Sequence, residues 1–130
     1  GTVGCFGGMS IATGLCSYLV VTKEARLGLN GPQVIEQEAG ITEYDSKDKP
    51  FIWSMTGGEI RYETGFADEL AVDDVDAVRT AIAKCFAQGS PESFRTDRVG
   101  FYLPRLAGFD ASQQVFPEIT KALFSQGDRK

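Results

Sequence analysis

The chain has 130 residues, of which 42% are apolar and 24% charged, with 15 glycines and a formal net charge of −5. These values fit one globular domain and exclude a disordered or fibrous chain. The acidic balance, without any Lys/Arg block, disfavours nucleic acid as a partner. No histidine is present, which excludes a Ser-His-Asp triad, a Cys-His pair and His-containing metal sites from this chain.

The cysteines and the first residues indicate the compartment. Cys5, Cys16 and Cys85 are odd in number and lie at no metal-ligand spacing, which favours a reducing compartment over a disulfide framework or zinc site. No charge precedes Lys23, so the basic region of a signal peptide is missing, and polar residues break the apolar run short of the ~20 residues of a membrane span. We therefore expect a cytoplasmic protein with no membrane partner, cut from a longer parent whose preceding residues bury this glycine-rich start.

The first third of the chain alternates short strand and helix signals. A buried strand is predicted over residues 2–6, and Gly7-Gly8 ends it and opens a helix, whose apolar and small residues are Met9, Ile11, Ala12, Leu15 and Cys16. Further strands are predicted over residues 19–22 and 26–29, separated by a Lys23-Glu24 turn. Pro32 then occupies the first position of a helix that continues to residue 38. This order is typical of an α/β protein with short strands and flanking helices.

The remaining elements follow from their terminal residues. Residues 41–49 are predicted to form a surface loop, Pro50 to begin a helix that Gly57-Gly58 closes, and residues 66–70 to form a strand. Asp74 is the predicted N-cap of a helix ended by Gly89, with one apolar face formed by Val75, Val78, Ile82, Cys85 and Phe86. An aromatic, arginine-containing tail follows, and its terminal helix begins at Pro117 and carries Ile119, Leu123 and Phe124. Such a tail is expected to pack on the body or on a partner.

The glycine pair is the strongest candidate for a ligand site. Glycines between a strand and a helix let backbone N–H groups approach an oxyanion or a phosphate. Gly7-Gly8 matches neither a Walker loop nor the dinucleotide fingerprint. A tight packing turn without a ligand explains the pair equally well.

Other candidate residues have structural explanations that we favour. Cys5 lacks a histidine to activate it as a nucleophile, so a buried structural thiol is expected. Glu36 and Glu38 are interpreted as charges near a helix dipole rather than as acid or base, and Arg61 as one half of an exposed ion pair rather than a carboxylate ligand. The acidic group lacks the spacing of a calcium loop, so a solvated face is expected and no metal site is assigned to Asp68, Glu69, Asp73, Asp74 and Asp76.

Several strings, taken in order, resemble a known family. These are Gly7-Gly8-Met9, Leu19-Val20-Val21-Thr22, Ala25-Arg26-Leu27-Gly28 and Gly31-Pro32-x-Val34-Ile35-Glu36-Gln37. The chain resembles the carboxyltransferase β-type subunits of the crotonase superfamily, and residues 64–70 look like the strand and turn that close a crotonase half. Within that group it is most similar to malonate decarboxylase β subunits, in the strings Gly4-Cys5-Phe6-Gly7-Gly8-Met9, Leu27-Gly28-Leu29-Asn30-Gly31-Pro32, Ile35-Glu36-Gln37-Glu38-Ala39-Gly40 and Thr56-Gly57-Gly58. The likeness covers residues 1–88 well and is weak beyond them.

The resemblance implies a fold and a reaction. The fold would be a partial ClpP/crotonase-type unit, with residues 1–88 as its C-terminal half and residues 89–130 as a helical C-terminal extension. A β and a γ subunit would together decarboxylate a malonyl thioester on an acyl-carrier protein to acetyl thioester and carbon dioxide, with no cofactor bound covalently in this chain. Gly7 and Gly8 would be backbone oxyanion donors, with the N–H of Met9 as a further candidate. The proton donor is not identified.

Two alternatives stay open at this point. A biotin-dependent β subunit would move carboxylate between biotin and an acyl-CoA thioester. A non-catalytic piece would instead dock a partner through its aromatic tail, while the chemistry occurs elsewhere.

Overall fold

Parallel pairing of very short strands organises the chain. A computed structural model describes residues 4–110, 112–114 and 116–124. Strand β1 (Gly4–Cys5) pairs with β3 (Arg26–Leu27), and β2 (Val20–Thr22) pairs with β4 (Glu69–Ala71), each in parallel. Parallel partners need crossover connections, and helices supply them here. The predicted α/β class with short strands is therefore confirmed.

Helices make up the rest of the described regular structure. In chain order they are α1 (Gly8–Gly14), α2 (Pro32–Ala39), α3 (Lys49–Thr56), α4 (Gly58–Glu63), α5 (Val75–Gln88), a 3-10 helix (Arg95–Arg98), α6 (Val99–Leu106) and α7 (Pro117–Phe124). Ile52 of α3 and Ile60 of α4 are almost completely buried, and these helices contact the strands. The core therefore lies where α3 and α4 meet β2 and β3.

Local signals predicted most helix starts correctly. Gly7 precedes α1, Pro32 is at the start of α2, and α7 begins at Pro117. The first helix ends at Gly14, earlier than the predicted Leu15 and Cys16. The strand predicted over residues 2–6 is seen at Gly4–Cys5, and residues 2 and 3 lie outside the described residues.

The prediction that Gly57-Gly58 closes one helix is half right. Gly57 caps α3 through its N–H, which donates to Trp53 O at 2.8 Å, but Gly58 begins α4 immediately. The extended backbone of Gly57 redirects the chain, so two helices meet at the pair. A Cβ on Gly58 would overlap Thr22 O, so only glycine lets α4 lie this close to β2.

The predicted strands and loop are shifted or partly wrong. The strands expected over residues 26–29 and 66–70 are seen at Arg26–Leu27 and Glu69–Ala71. The segment before α3 has no strand, as expected, yet Tyr44 is buried with its ring edge-on to Phe51 at 5.2 Å. The acidic sequence around Tyr44 gave no indication that this aromatic side chain is buried.

Helix α5 has the predicted ends but not the predicted buried face. Asp74 accepts hydrogen bonds from Asp76 N and Ala77 N, and Gly89 ends the helix with a φ of 72°. Ala81 and Cys85 are buried, whereas Val75, Ile82 and Phe86 are 72%, 42% and 82% exposed. The strands beneath α5 are only three residues long, so a narrow line of contacts covers little of its apolar face.

Arg95 fastens the segment after α5 to the body. Its side chain is 5% exposed, and its guanidinium donates to Cys16 O, Phe66 O and the Asp68 carboxylate. The same carboxylate accepts the N–H of Leu19 at 2.6 Å. One buried ion pair therefore joins three separate segments of the chain.

The aromatic tail forms a 3-10 helix and two α-helices, of which α7 packs on the body. Helix α7 packs on α4, and Lys121 forms an ion pair with Glu63 at 2.8 Å. The Phe124 ring lies 5.9 Å from that of Phe109 and 6.3 Å from that of Tyr102. The sequence predicted α7 but not the 3-10 helix or α6. The division at residue 88 stays a prediction.

We expect Gly58→Ala to lower the free energy of unfolding by about 2–3 kcal/mol, because the new methyl group displaces backbone at Thr22. Chemical denaturation of the chain measures this difference. Gly100→Ala is the matched control, since a Cβ there meets nothing within 4 Å and alanine favours a helix. Equal stability of the two variants would contradict the close contact.

We expect Arg95→Ala to cost about 3 kcal/mol, because it leaves the Asp68 carboxylate without its buried partner. Denaturant titration followed by circular dichroism gives the value. Arg79→Ala breaks an exposed ion pair with Asp76 and should change stability by no more than about 0.5 kcal/mol. A similar small effect at Arg95 would show that the ion pair does not hold the segment.

Candidate functional site

Pairing of β1 with β3 positions the Gly7-Gly8 turn. Gly7 N donates to Leu29 O at 2.6 Å, and Gly28 N donates to Cys5 O at 3.2 Å. Gly7 has a φ of 67°, a left-handed conformation that L side chains rarely adopt. Ser10 then donates to Gly7 O from both its N–H and its hydroxyl, at 3.0 and 2.7 Å. The turn is thus fixed from both sides, and it directs the chain into α1.

These hydrogen bonds distinguish the three residues predicted to be oxyanion donors. The N–H of Gly7 is engaged by Leu29 O, so it is occupied within the chain. Gly8 and Met9 provide the first N–H groups of α1, which have no acceptor inside the helix. Both residues are exposed, and a Cβ on Gly8 would meet nothing within 4 Å. Their amides are the ones that a ligand can approach.

The helix that carries these amides is itself uncovered. No residue of α1 is buried, and Met9, Ile11 and Leu15 next to or within it are 69%, 56% and 61% exposed. Exposed apolar residues are ordinary on a protein surface, and three of them lie on or next to this short helix.

The cysteines are free and serve local packing. The Cys5 thiol is half-buried and lies 3.4 Å from the Thr13 hydroxyl, which donates to Met9 O. Cys16 is exposed, while burial together with nearby Asp68 and Glu69 raises the pKa of the Cys85 thiol. The contact of Cys5 with Thr13 gives it a structural role beside the glycine turn.

Four residues of the predicted acidic group each have a separate structural partner. Asp68 binds Arg95, Glu69 pairs with Lys84 at 3.4 Å, and Asp76 pairs with Arg79 at 3.2 Å. Asp74 caps α5. Within the described part of the chain, no three potential metal ligands come together.

Glu36 has a different role from the one predicted. It lies beyond the first turn of α2, as Glu38 also does, and that turn contains no acidic residue, so the helix-dipole interpretation is wrong for both. Its carboxylate accepts the N–H of Ser46 at 2.7 Å, and hydrogen bonding to Ser46 lowers its pKa. Glu36 therefore ties the loop before α3 to α2, while Glu38 is exposed.

Arg61 is not half of an exposed ion pair, which corrects the sequence prediction. The side chain is turned inward, Nε donates to Leu27 O at 2.9 Å, and burial lowers its pKa. No carboxylate from the part of the chain that the structure describes pairs with it. Neither this environment nor the buried Arg95 has a signal in the sequence, because both depend on non-local packing.

Among the described residues, no helix has both the length and the apolar character that a membrane span requires.

Comparison with known proteins gives consistent results. No protein-family model matches the chain. It is 35% identical over 98 residues to a malonyl-S-ACP:biotin-protein carboxyltransferase, MADC, from Malonomonas rubra, and this match covers 75% of the chain and 31% of the relative.

Two solved structures match more strongly. A chain in a Pseudomonas malonate decarboxylase hetero-tetramer in complex with malonate is 59% identical with a TM-score of 0.89, over 95% of this chain and 45% of that one. A chain of the Pseudomonas MdcD-MdcE hetero-dimer is 58% identical with a TM-score of 0.69, over 82% of this chain and 42% of that one. The chain thus spans less than half the length of these relatives. The resemblance that the sequence indicated is confirmed, and it extends past residue 88, where it was expected to be weak: most of this chain is similar to part of a malonate decarboxylase subunit.

Proposed function

We propose that this chain is part of the β-type subunit of a malonate decarboxylase that needs no biotin. With a γ-type subunit, it would convert a malonyl thioester on an acyl-carrier protein to acetyl thioester and carbon dioxide. The observation that carries the proposal is the 59% identity, with a TM-score of 0.89, over 95% of the chain. Residues 1–88 are proposed to be the C-terminal half of a crotonase-type unit, and residues 89–130 its helical extension.

The reaction makes one main demand on the protein. When the bond between the α-carbon and the carboxylate breaks, carbon dioxide leaves and the electron pair moves toward the thioester carbonyl. Negative charge then develops on the thioester oxygen until a proton reaches the α-carbon. Preorganised N–H donors stabilise that oxygen, and one such donor typically contributes about 3–4 kcal/mol.

The donors that we assign are the amides of Gly8 and Met9. They are exposed and lack helical acceptors, whereas the Gly7 amide is bound to Leu29 O. Gly7 is given the role of shaping the turn, which its positive φ supports. Of the three predicted oxyanion donors, we therefore keep Gly8 and Met9 and remove Gly7. A further oxyanion donor and the proton donor are proposed to come from outside this chain.

The absence of a side chain at Gly8 is part of this assignment. A Cβ there would extend into open space rather than into the chain's own atoms. Space of this kind, directly beside free amides, is what a thioester carbonyl needs to approach closely. The space that the ligand needs therefore explains the glycine at position 8. The positive φ of the backbone explains the glycine at position 7.

The uncovered face of α1 supports the proposed heteromeric assembly. Met9, Ile11 and Leu15 are exposed apolar residues on or next to the helix that carries the amides. Contact of this face with the γ-type subunit, or with the rest of the β subunit, would exclude water from the carbonyl site. Exclusion of water strengthens the interaction between amide and oxyanion.

The experiment combines the full-length β subunit with its γ-type partner, malonyl thioester on acyl-carrier protein, and no biotin. We expect carbon dioxide release, and a 10²- to 10³-fold lower kcat for Gly8→Val, because the side chain keeps the carbonyl from the amides. Gly100→Val is the matched control: it is also a helical glycine with no atom within 4 Å of its Cβ, and its kcat should be unchanged.

Three outcomes would contradict the proposal. Release only after a biotin protein is added would favour the carboxyltransferase alternative, the activity in the name of the Malonomonas rubra relative. Equal turnover of the two valine variants would remove Gly8 from the site. Turnover spared in Gly8→Val but assembly lost on truncation after Gln88 would favour the docking alternative.

A further inference from the structure

A small cavity is lined by residues of α4, α6 and α7. Its volume is about 220 Å³, and its lining includes Arg61, Phe66, Tyr102, Leu106, Thr120 and Phe124. None of the residues of the Gly7-Gly8 turn contributes to it. The cavity is therefore separate from the site proposed for the thioester.

Arg61 brings a cation to this cavity. Its Nε is used by Leu27 O, and its inward orientation leaves the guanidinium poorly solvated, as the lowered pKa reflects. An arginine side chain nevertheless remains protonated at neutral pH. Within the described ranges no acidic side chain forms an ion pair with it.

Neighbouring polar groups do not neutralise this charge. Tyr44 interacts electrostatically with Arg61, but burial raises the pKa of Tyr44, so its hydroxyl stays uncharged at neutral pH. That hydroxyl is buried and has no hydrogen-bond partner. Glu63, on the same helix as Arg61, already pairs with Lys121 at 2.8 Å. Among the described residues, therefore, none compensates the charge of the Arg61 guanidinium.

A half-buried cation without a counter-charge is costly, and an anion that reaches it removes much of that cost. A carboxylate fits best, because two carboxylate oxygens match the planar fork of a guanidinium. The other walls are mainly aromatic and aliphatic, from Phe66, Leu106 and Phe124. One cation surrounded by such walls suits one carboxylate on an apolar body.

We propose that this cavity binds a small organic monocarboxylate. Its carboxylate contacts the Arg61 guanidinium, and its apolar body lies against Phe66 and Phe124. Tyr102 and Thr120 also line this cavity. This site does not rest on the proposed decarboxylase function, because neither its residues nor its ligand take part in that reaction.

Titration calorimetry of the full-length protein with butyrate and with benzoate tests the proposal. We expect saturable binding at one site, and at least a tenfold weaker affinity in Arg61→Gln, because the charge-assisted pair is lost. Arg79→Gln is the matched control, since Arg79 is exposed on α5 and pairs with Asp76. Its affinity should equal that of the unchanged chain.

A second variant keeps the test valid if Arg61→Gln fails to fold. Thr120→Leu retains Arg61 but fills the cavity, so it should also lose at least tenfold in affinity. Circular dichroism verifies the fold of each variant. Undiminished binding in either folded variant would overturn the proposal.

Two further ligands determine the chemical class. Inorganic phosphate and malonate carry more charge and no comparable apolar body, so both should bind at least tenfold more weakly than butyrate. Equal or tighter binding of either would overturn the assignment of a monocarboxylate. So would the absence of any binding with a Kd below about 10 mM.

Discussion

The buried ion pair between Arg95 and Asp68 is the contact on which most of the remaining arrangement depends. Arg95 binds Cys16 O after α1 and Phe66 O before β4, and Asp68 also accepts the N–H of Leu19 just before β2. The paired strands are only two or three residues long, so their own hydrogen bonds are few. Breaking such a pair costs more than the pair contributes, because an uncompensated charge stays buried. The cost of breaking this ion pair therefore keeps the segment after α5 in place against the body.

This constraint also bears on the proposed catalytic amides. Helix α1 buries no residue and is held mainly at its ends, through Gly7 N to Leu29 O at the start and through Arg95 Nε to Cys16 O just beyond its last turn. Polar contacts at both ends fix the direction of the helix without using its apolar side chains. Met9, Ile11 and Leu15 thus stay free to contact another polypeptide, while the amides of Gly8 and Met9 keep a defined position.

Local chemistry explains which parts of this structure could be predicted from the sequence. Gly7, Pro32, Asp74 and Gly89 mark element ends because their effects involve only their own backbone or the next turn. Burial was predicted less well: α5 turns Ala81 and Cys85 inward rather than its larger side chains, and Tyr44 is buried within an acidic loop. These outcomes depend on the register and length of strands distant in sequence. For the same reason, the glycine pair alone does not indicate that the Gly7 amide is occupied, because its acceptor, Leu29 O, is distant in sequence.

The two inward-facing arginines show why burial alone does not define a role. Arg95 has carbonyl oxygens and a carboxylate around its guanidinium, so its charge is compensated within the chain and its role is structural. Arg61 has one carbonyl oxygen, an uncharged buried tyrosine and a cavity with largely apolar walls. A protein tolerates the first arrangement for stability, because every donor group gains a partner. The surroundings of Arg61 leave a desolvation cost that a bound anion can offset. This difference in charge compensation distinguishes the structural Arg95 from Arg61 at the proposed ligand site.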